Sequence, residues 1–199
     1  MTPRTATDGV AAGRSRLRAA HLAVVIALAG VVVLWQMARF AAPVHGFGLP
    51  WWSIMLGFAA AEIASIHLRV RRDAHSISLV EVPLLFGLAS LAPLALISAR
   101  LVGGAAGLVL WRRQRGEKLL FNLSLLLLET AAALSIYHGI LLGADPVSPR
   151  GWVAAGAAVA ASIAVGAGAL TVVLRIHEPH RSHESIAGSL LSAITISFG

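Results

Sequence analysis

The chain has 199 residues, of which 57% are apolar and only 13% charged. Soluble domains average about 45–50% apolar and about 25% charged residues, so the composition excludes an ordinary water-soluble domain and predicts an all-α, polytopic transmembrane helical bundle. The net charge is +7 and cysteine is absent, which excludes disulfides, thiolate metal sites and a cysteine nucleophile. Because the basic residues flank apolar runs, they indicate membrane topology and contact with anionic headgroups rather than binding to nucleic acid.

The N-terminal part of the chain predicts a basic tail followed by two membrane helices. Residues 1–19 show no apolar periodicity and carry four arginines, which indicates a disordered cytoplasmic tail. The apolar run from Ala20 to about Ala42 is too long for the core of a signal peptide, so we expect an uncleaved first helix. A turn at 43–50 precedes the second helix, from about Trp51 to Leu68, whose paired tryptophans are typical of a membrane interface.

The next apolar stretch, from Ala74 to Trp111, is too long for one span and is interrupted at Ala92-Pro93. The favoured prediction is a tight hairpin of two short helices, at about 74–92 and 94–111. The alternative is one span with a re-entrant piece.

The C-terminal part predicts two more complete helices, from about Leu119 to Leu142 and from Trp152 to about Leu174. The loop between them, at 143–151, contains Gly, Asp and two Pro and is a clear break. After a polar loop at 175–185, the apolar run from Ile186 to Gly199 makes only about 21 Å of helix, too little to cross a bilayer.

Residues 20–199 are therefore predicted to be membrane-embedded, with six complete helices and the start of a seventh. We expect the chain to be a fragment of a longer protein. Thirteen of the sixteen basic residues fall on one predicted side of the membrane, Arg39 and Arg150 fall on the other, and Arg100 lies within a span. This asymmetry places the N-terminus and the loop at 175–185 in the cytoplasm, in a multi-pass protein of the inner (plasma) membrane.

Four ionisable residues fall within predicted spans, namely Glu62, Glu81, Arg100 and Glu129. Each costs at least about 2.5–3.5 kcal/mol on insertion scales, so each is expected to face the bundle interior or a polar cavity. Arg100 is expected to pair with Glu62 or Glu129, because a partner offsets much of the burial cost. Together with Asn122 they form the candidate polar cluster, which is either a pocket for a small ligand, ion or proton, or a structural ion pair.

Asn122 lies one turn into the fifth helix. Its amide is expected to hydrogen-bond another helix or to cap backbone at a break such as Pro83. Small residues at four-residue spacing, Gly103 with Gly107 and Gly156 with Ala160, permit close helix contact and a possible homodimer.

The histidines at 177, 180 and 183 are spaced three residues apart in a loop that Pro179 interrupts. This pattern matches no standard zinc motif, so we predict a solvated loop without a metal. The sequence contains no catalytic motif and no pattern that indicates a cofactor.

Residues 75–134 carry a resemblance to a known family. The segments are HSISLVEVPLLFGL (75–88), LAPLALISARLVGGAAGLVL (91–110) and EKLLFNLSLLLLETAAAL (117–134). They resemble the N-terminal multi-spanning sensor region of bacterial GGDEF/EAL proteins, the cyclic-di-GMP cyclases and phosphodiesterases. In that family an S-x-S-L-x-E-x-P entry precedes a short helix hairpin, and a K-x-x-F-N entry begins the next helix. The corresponding residues here are Ser76, Ser78, Leu79, Glu81, Pro83, Lys118, Phe121 and Asn122.

The resemblance implies a membrane sensory or anchoring module that relays a signal to a cytoplasmic output domain. The chain has no GGDEF or EAL motif, so we expect it to be no enzyme itself. Its expected partners are the lipid bilayer and an unknown small ligand. The alternative is a small-solute transporter or a substrate-capture membrane subunit, with the same polar cluster lining the substrate path.

Overall fold

The computed structural model describes residues 24–32, 35, 48–69 and 79–177, and all regular structure within them is helical. The predicted tail at 1–19, the ends of the first helix, the His-rich loop beyond His177 and the last apolar run lie outside these residues. The described helices are α1 (24–32), α2 (Trp51–Arg69), α3 (Glu81–Ser90), α4 (Pro93–Ala106) with a π-helical continuation (Gly107–Trp111), α5 (Glu117–Leu141) and α6 (Pro149–His177).

Three helical stretches are long and apolar enough to cross a membrane: Pro93–Trp111, Glu117–Leu141 and Pro149–Ala169. Many large apolar side chains point outward, and Leu94, Leu110 and Trp152 are each more than three-fifths exposed. Soluble monomers rarely expose so much contiguous apolar surface. An all-helical membrane protein, as predicted, explains both observations.

The predicted hairpin has one short arm. The helix expected at 74–92 begins only at Glu81 in the described residues, because 79–80 form a turn. Its 10 residues make about 15 Å of helix, half a bilayer. The break is where the sequence placed it: Ala92 is extended because a residue before proline is disfavoured in the helical region, and Pro93 then starts α4. The two helices of the hairpin are therefore present on either side of the predicted break, and only α4 with its continuation has span length.

The loop expected at 143–151 is shorter than predicted. Helix α6 begins at Pro149, and the Ser148 hydroxyl accepts a hydrogen bond from the Gly151 N–H at 3.2 Å. Serine before proline is a strong helix start, since proline lacks an N–H that would need a partner there. The same helix continues to His177, three residues beyond the predicted end.

Two glycines let α4 pack closely on α2. A Cβ at Gly103 would meet the Met55 carbonyl oxygen and Phe58, and one at Gly107 would meet the Glu62 side chain. Without these Cβ atoms the two helices approach each other. The predicted small-residue pair is therefore used inside the chain.

The apolar core fills one half of the bundle. Its largest buried side chains come from α2 to α5 and are Phe58, Leu84, Leu88, Leu96, Leu134 and Tyr137. Ala154 and Ala158 of α6 complete it. These residues lie toward the ends of the helices that contain Trp51, Pro93, Leu141 and Pro149, so the opposite half of the bundle is left for polar groups.

Candidate functional site

A cavity of about 250 Å³ lies next to the apolar core, where helices α2 to α6 meet. All five residues of the predicted polar cluster line it: Glu62, Glu81, Arg100, Asn122 and Glu129. They come from four different helices and are separated by up to 67 positions in the chain. The structure therefore brings together residues that the sequence selected one by one.

The most deeply buried charge in the cavity is Arg100, which is 2% exposed. Its Nη2 donates a hydrogen bond to Glu129 Oε2 at 2.5 Å, so Glu129 is its partner among the two that were expected. The Arg100 guanidinium also lies over the Phe58 ring, 5.3 Å from its centroid. On the far side of Glu129, a Cβ on Gly166 would come within 2.7 Å of Oε1, so this glycine leaves room for the carboxylate.

Glu62, the other expected partner, pairs with Arg112 at 3.1 Å. The sequence assigned Arg112 to the basic loop and not to the site. In an ideal α-helix of about 100° per residue, Arg112 would point about 120° away from Arg100. The π-helical segment accommodates one extra residue, with the Arg112 N–H bonded to the Gly107 carbonyl at 3.1 Å, and turns Arg112 to within about 20° of Arg100. No residue pattern in the sequence predicts this π-helical segment.

Glu81 has a different environment from the two paired carboxylates. It is the first residue of α3, where the positive end of the helix dipole favours a carboxylate. Its Oε2 is buried and has no hydrogen-bond partner among the described residues. Glu81 is thus the acid of the cavity for which no ion pair is found there.

Asn122 donates a hydrogen bond from Nδ2 to Gln114 Oε1 at 2.6 Å. Gln114 lies in the short connection between α4 and α5, so the expected contacts with another helix or with the break at Pro83 are wrong. The hydrogen bond ties the start of α5 to the end of α4, on the wall of the cavity. Ser162 of α6 also lines the cavity, and sequence reasoning passed over it because a serine in a span is common.

The polar groups of the cavity are unevenly matched. Among the described residues that line the cavity, three carboxylates face two guanidinium groups, which leaves one excess negative charge when all are ionised. Arg100 Nε and Nη1 and Arg112 Nε are buried donors that have no partner in the described part of the chain. Buried polar groups are nearly always hydrogen-bonded, so these donors are the candidate contacts for a ligand.

Within residues 24–32, 48–69 and 79–177, no group of three or more acidic or histidine side chains is placed to hold a metal ion. No family model matches the chain, and no curated protein or solved structure matches it. The fold and the cavity define a helical membrane protein with a charged, partly unsatisfied cavity inside its bundle.

Proposed function

We propose that this chain is an integral membrane sensory module that binds a small polar ligand in the cavity. It relays the binding event to a cytoplasmic output domain outside the chain, of the GGDEF/EAL type that residues 75–134 resemble. The observation that carries the proposal is the convergence of five charged or amide side chains on one cavity with unpaired donors. A purely structural ion pair would need neither the unpaired Glu81 nor the unused N–H groups of Arg100.

The proposal includes the full topology. Six complete spans and the start of a seventh place the N-terminus in the cytoplasm of a bacterial-type inner membrane. The asymmetry of the arginines supports this arrangement. The short connection between α4 and α5 is then cytoplasmic, and the cavity lies in the cytoplasmic half of the bundle.

The cavity is well positioned for relay because five helices contribute to its wall. A ligand shifts a conformational equilibrium only by its differential affinity for the two states. Helices α2, α5 and α6 continue beyond the cavity in both directions, so a change in their packing at the ion pairs would reach the membrane surface through rigid helices. Helix α6 is the longest of the described helices, with 29 residues, and it leads from the cavity toward the C-terminal part of the chain, where we propose that the output domain follows.

The test is a fusion of residues 1–185, which end in the loop expected to be cytoplasmic, to a diguanylate cyclase domain, with cyclic di-GMP measured in cells. We expect Glu81→Gln to change the output about 5-fold or more, the lower end of typical coupling energies. Val102→Ala, on the lipid-exposed surface of α4, is the matched control and should leave the output unchanged. Equal output from all three proteins at equal membrane levels would contradict the relay. Solute uptake by proteoliposomes would instead favour the transporter alternative.

A further inference from the structure

The charge balance of the cavity restricts its ligand. Arg100–Glu129 and Arg112–Glu62 are internally neutral pairs, and Glu81 remains as the excess negative charge. Its side chain is only partly buried, but the buried Oε2 has no partner among the described residues, and a buried polar atom without a partner is costly. An anion alone would add to the imbalance, and an uncharged molecule would leave Glu81 without a partner. A ligand with a cationic group beside Glu81 supplies that partner.

The N–H groups of Arg100 that have no partner require a second feature of the ligand, a hydrogen-bond acceptor. Arg100 is almost fully buried, and only its Nη2 is engaged, by Glu129. Its Nε and Nη1 are left without partners among the residues that the structure describes. A planar guanidinium recognises acceptors such as a carboxylate through pairs of N–H groups. A simple cation would leave these donors unsatisfied and would be repelled by the two arginines.

The volume and the lining of the cavity limit the size of the ligand. Pockets for drug-sized ligands enclose about 300–1,000 Å³, and this cavity encloses about 250 Å³. Leu84, Leu108 and Leu126 line it between the charged groups. A short aliphatic chain fits such a wall.

We infer that the ligand is a small zwitterion, an aliphatic molecule with an ammonium group at one end for Glu81 and a carboxylate at the other for Arg100. The inference rests on the proposed sensory function and names the ligand class of the same cavity.

The experiment measures thermal unfolding of the purified 199-residue chain in nanodiscs. The probes are glycine, β-alanine, 4-aminobutyrate and 5-aminopentanoate, each compared with the alkylamine and the carboxylate of matching chain length. We expect at least one zwitterion to raise Tm by about 2–4 °C or more at saturating concentration. Its amine and carboxylate counterparts should give no shift.

Three variants test whether the rise in Tm comes from binding in the cavity. Glu81→Gln keeps the size of the side chain and removes the charge, so it should abolish the shift. Arg100→Lys keeps a cation for Glu129 but loses the planar donors, and should abolish it too. Val102→Ala should retain it.

Several results would overturn the inference: no shift with any zwitterion, an equal shift with an amine or a carboxylate alone, or a shift that survives Glu81→Gln. The two proposals fail separately. A zwitterion shift without any change in the output of the fused cyclase leaves the ligand assignment standing and removes the relay. A change in output without zwitterion binding does the reverse.

Discussion

At the scale of single residues, the cavity depends on how its charges are paired. Arg100 has one carboxylate partner, Glu129, while Glu62 is engaged by Arg112. Removing one member of a buried pair costs about 3–5 kcal/mol, because the other charge is left without compensation in a low-dielectric site. Removing both members of a pair costs less than the sum of the two single removals. This difference in the free energy of unfolding identifies the carboxylate that pairs with Arg100.

We therefore predict that Arg100→Ala lowers the stability of the folded chain in detergent and that adding Glu129→Gln restores part of the loss. Adding Glu62→Gln in place of Glu129→Gln should restore none, because Glu62 belongs to the other pair. Chemical unfolding of the single and double variants gives the coupling energies. A rescue by Glu62→Gln equal to that by Glu129→Gln would show that the pairing described here is wrong.

The sequence identified these residues by a general argument and could not supply their partners. An ionisable side chain in a span is costly wherever it lies, so Glu62, Glu81, Arg100 and Glu129 stand out by position alone. Which of them meet depends on the rotation of each helix about its axis, and the weak amphipathicity of such apolar helices does not define that rotation. Arg112 was missed for this reason: only the local π-helical turn directs it into the cavity.

At the scale of elements, the close contact between α2 and α4 fixes the positions of the two helices that contain Glu62 and Arg100. Glycine at 103 faces the backbone oxygen of Met55 and the Cβ of Phe58, neither of which can move without a shift of α2. Phe58 in turn lies under the Arg100 guanidinium. The close packing of α2 on α4 therefore helps to position Arg100.

The corresponding prediction is that Gly103→Ala destabilises the chain by about 1–3 kcal/mol, the usual cost of overpacking. Gly139→Ala in α5 is the matched control, because a Cβ there meets nothing within 4 Å, and it should be neutral or stabilising by up to about 1 kcal/mol, the helix-propensity gain of alanine. Thermal unfolding of both variants in the same detergent measures the difference. Equal stability of the two would mean that α2 and α4 do not pack in this way.

Element boundaries followed local rules where the rules were strong. The break before Pro93 and the second helix from Trp51 were predicted closely, since proline and the aromatic pair give clear signals. The start of α6 was placed late because the loop was read as one Gly- and Pro-rich block, although Ser148-Pro149 is itself a helix start. The short length of α3 was not predictable, because apolar composition continues through the turn that precedes it.

At the scale of the whole molecule, the distribution of arginine sets the orientation that we propose. The connection between α4 and α5 carries three arginines and is followed by Lys118, whereas the one between α5 and α6 carries an acid and is followed by a single arginine. Successive loops of a helical bundle face opposite sides, so the two connections should differ in accessibility.

Because the chain has no cysteine, single cysteines report this directly. We predict that Val147→Cys is labelled by a membrane-impermeant maleimide from outside intact cells, and that Glu117→Cys is labelled only after the cells are opened. Both side chains are exposed in the structure, Val147 in the loop before α6 and Glu117 at the start of α5. Labelling of Glu117→Cys in intact cells would contradict the proposed topology.

The π-helical segment Gly107–Trp111 has a mechanical consequence. It stores one residue more than an α-helix would place over the same length, and such a stored residue can be passed along a helix without breaking the chain or its axis. If the segment relaxed into an ordinary α-helical register, everything after it would turn by about 100°. The Arg112 guanidinium would then leave Glu62, and the connection to α5 would swing with it. A change of helical register in these five residues would therefore break the second ion pair, between Arg112 and Glu62.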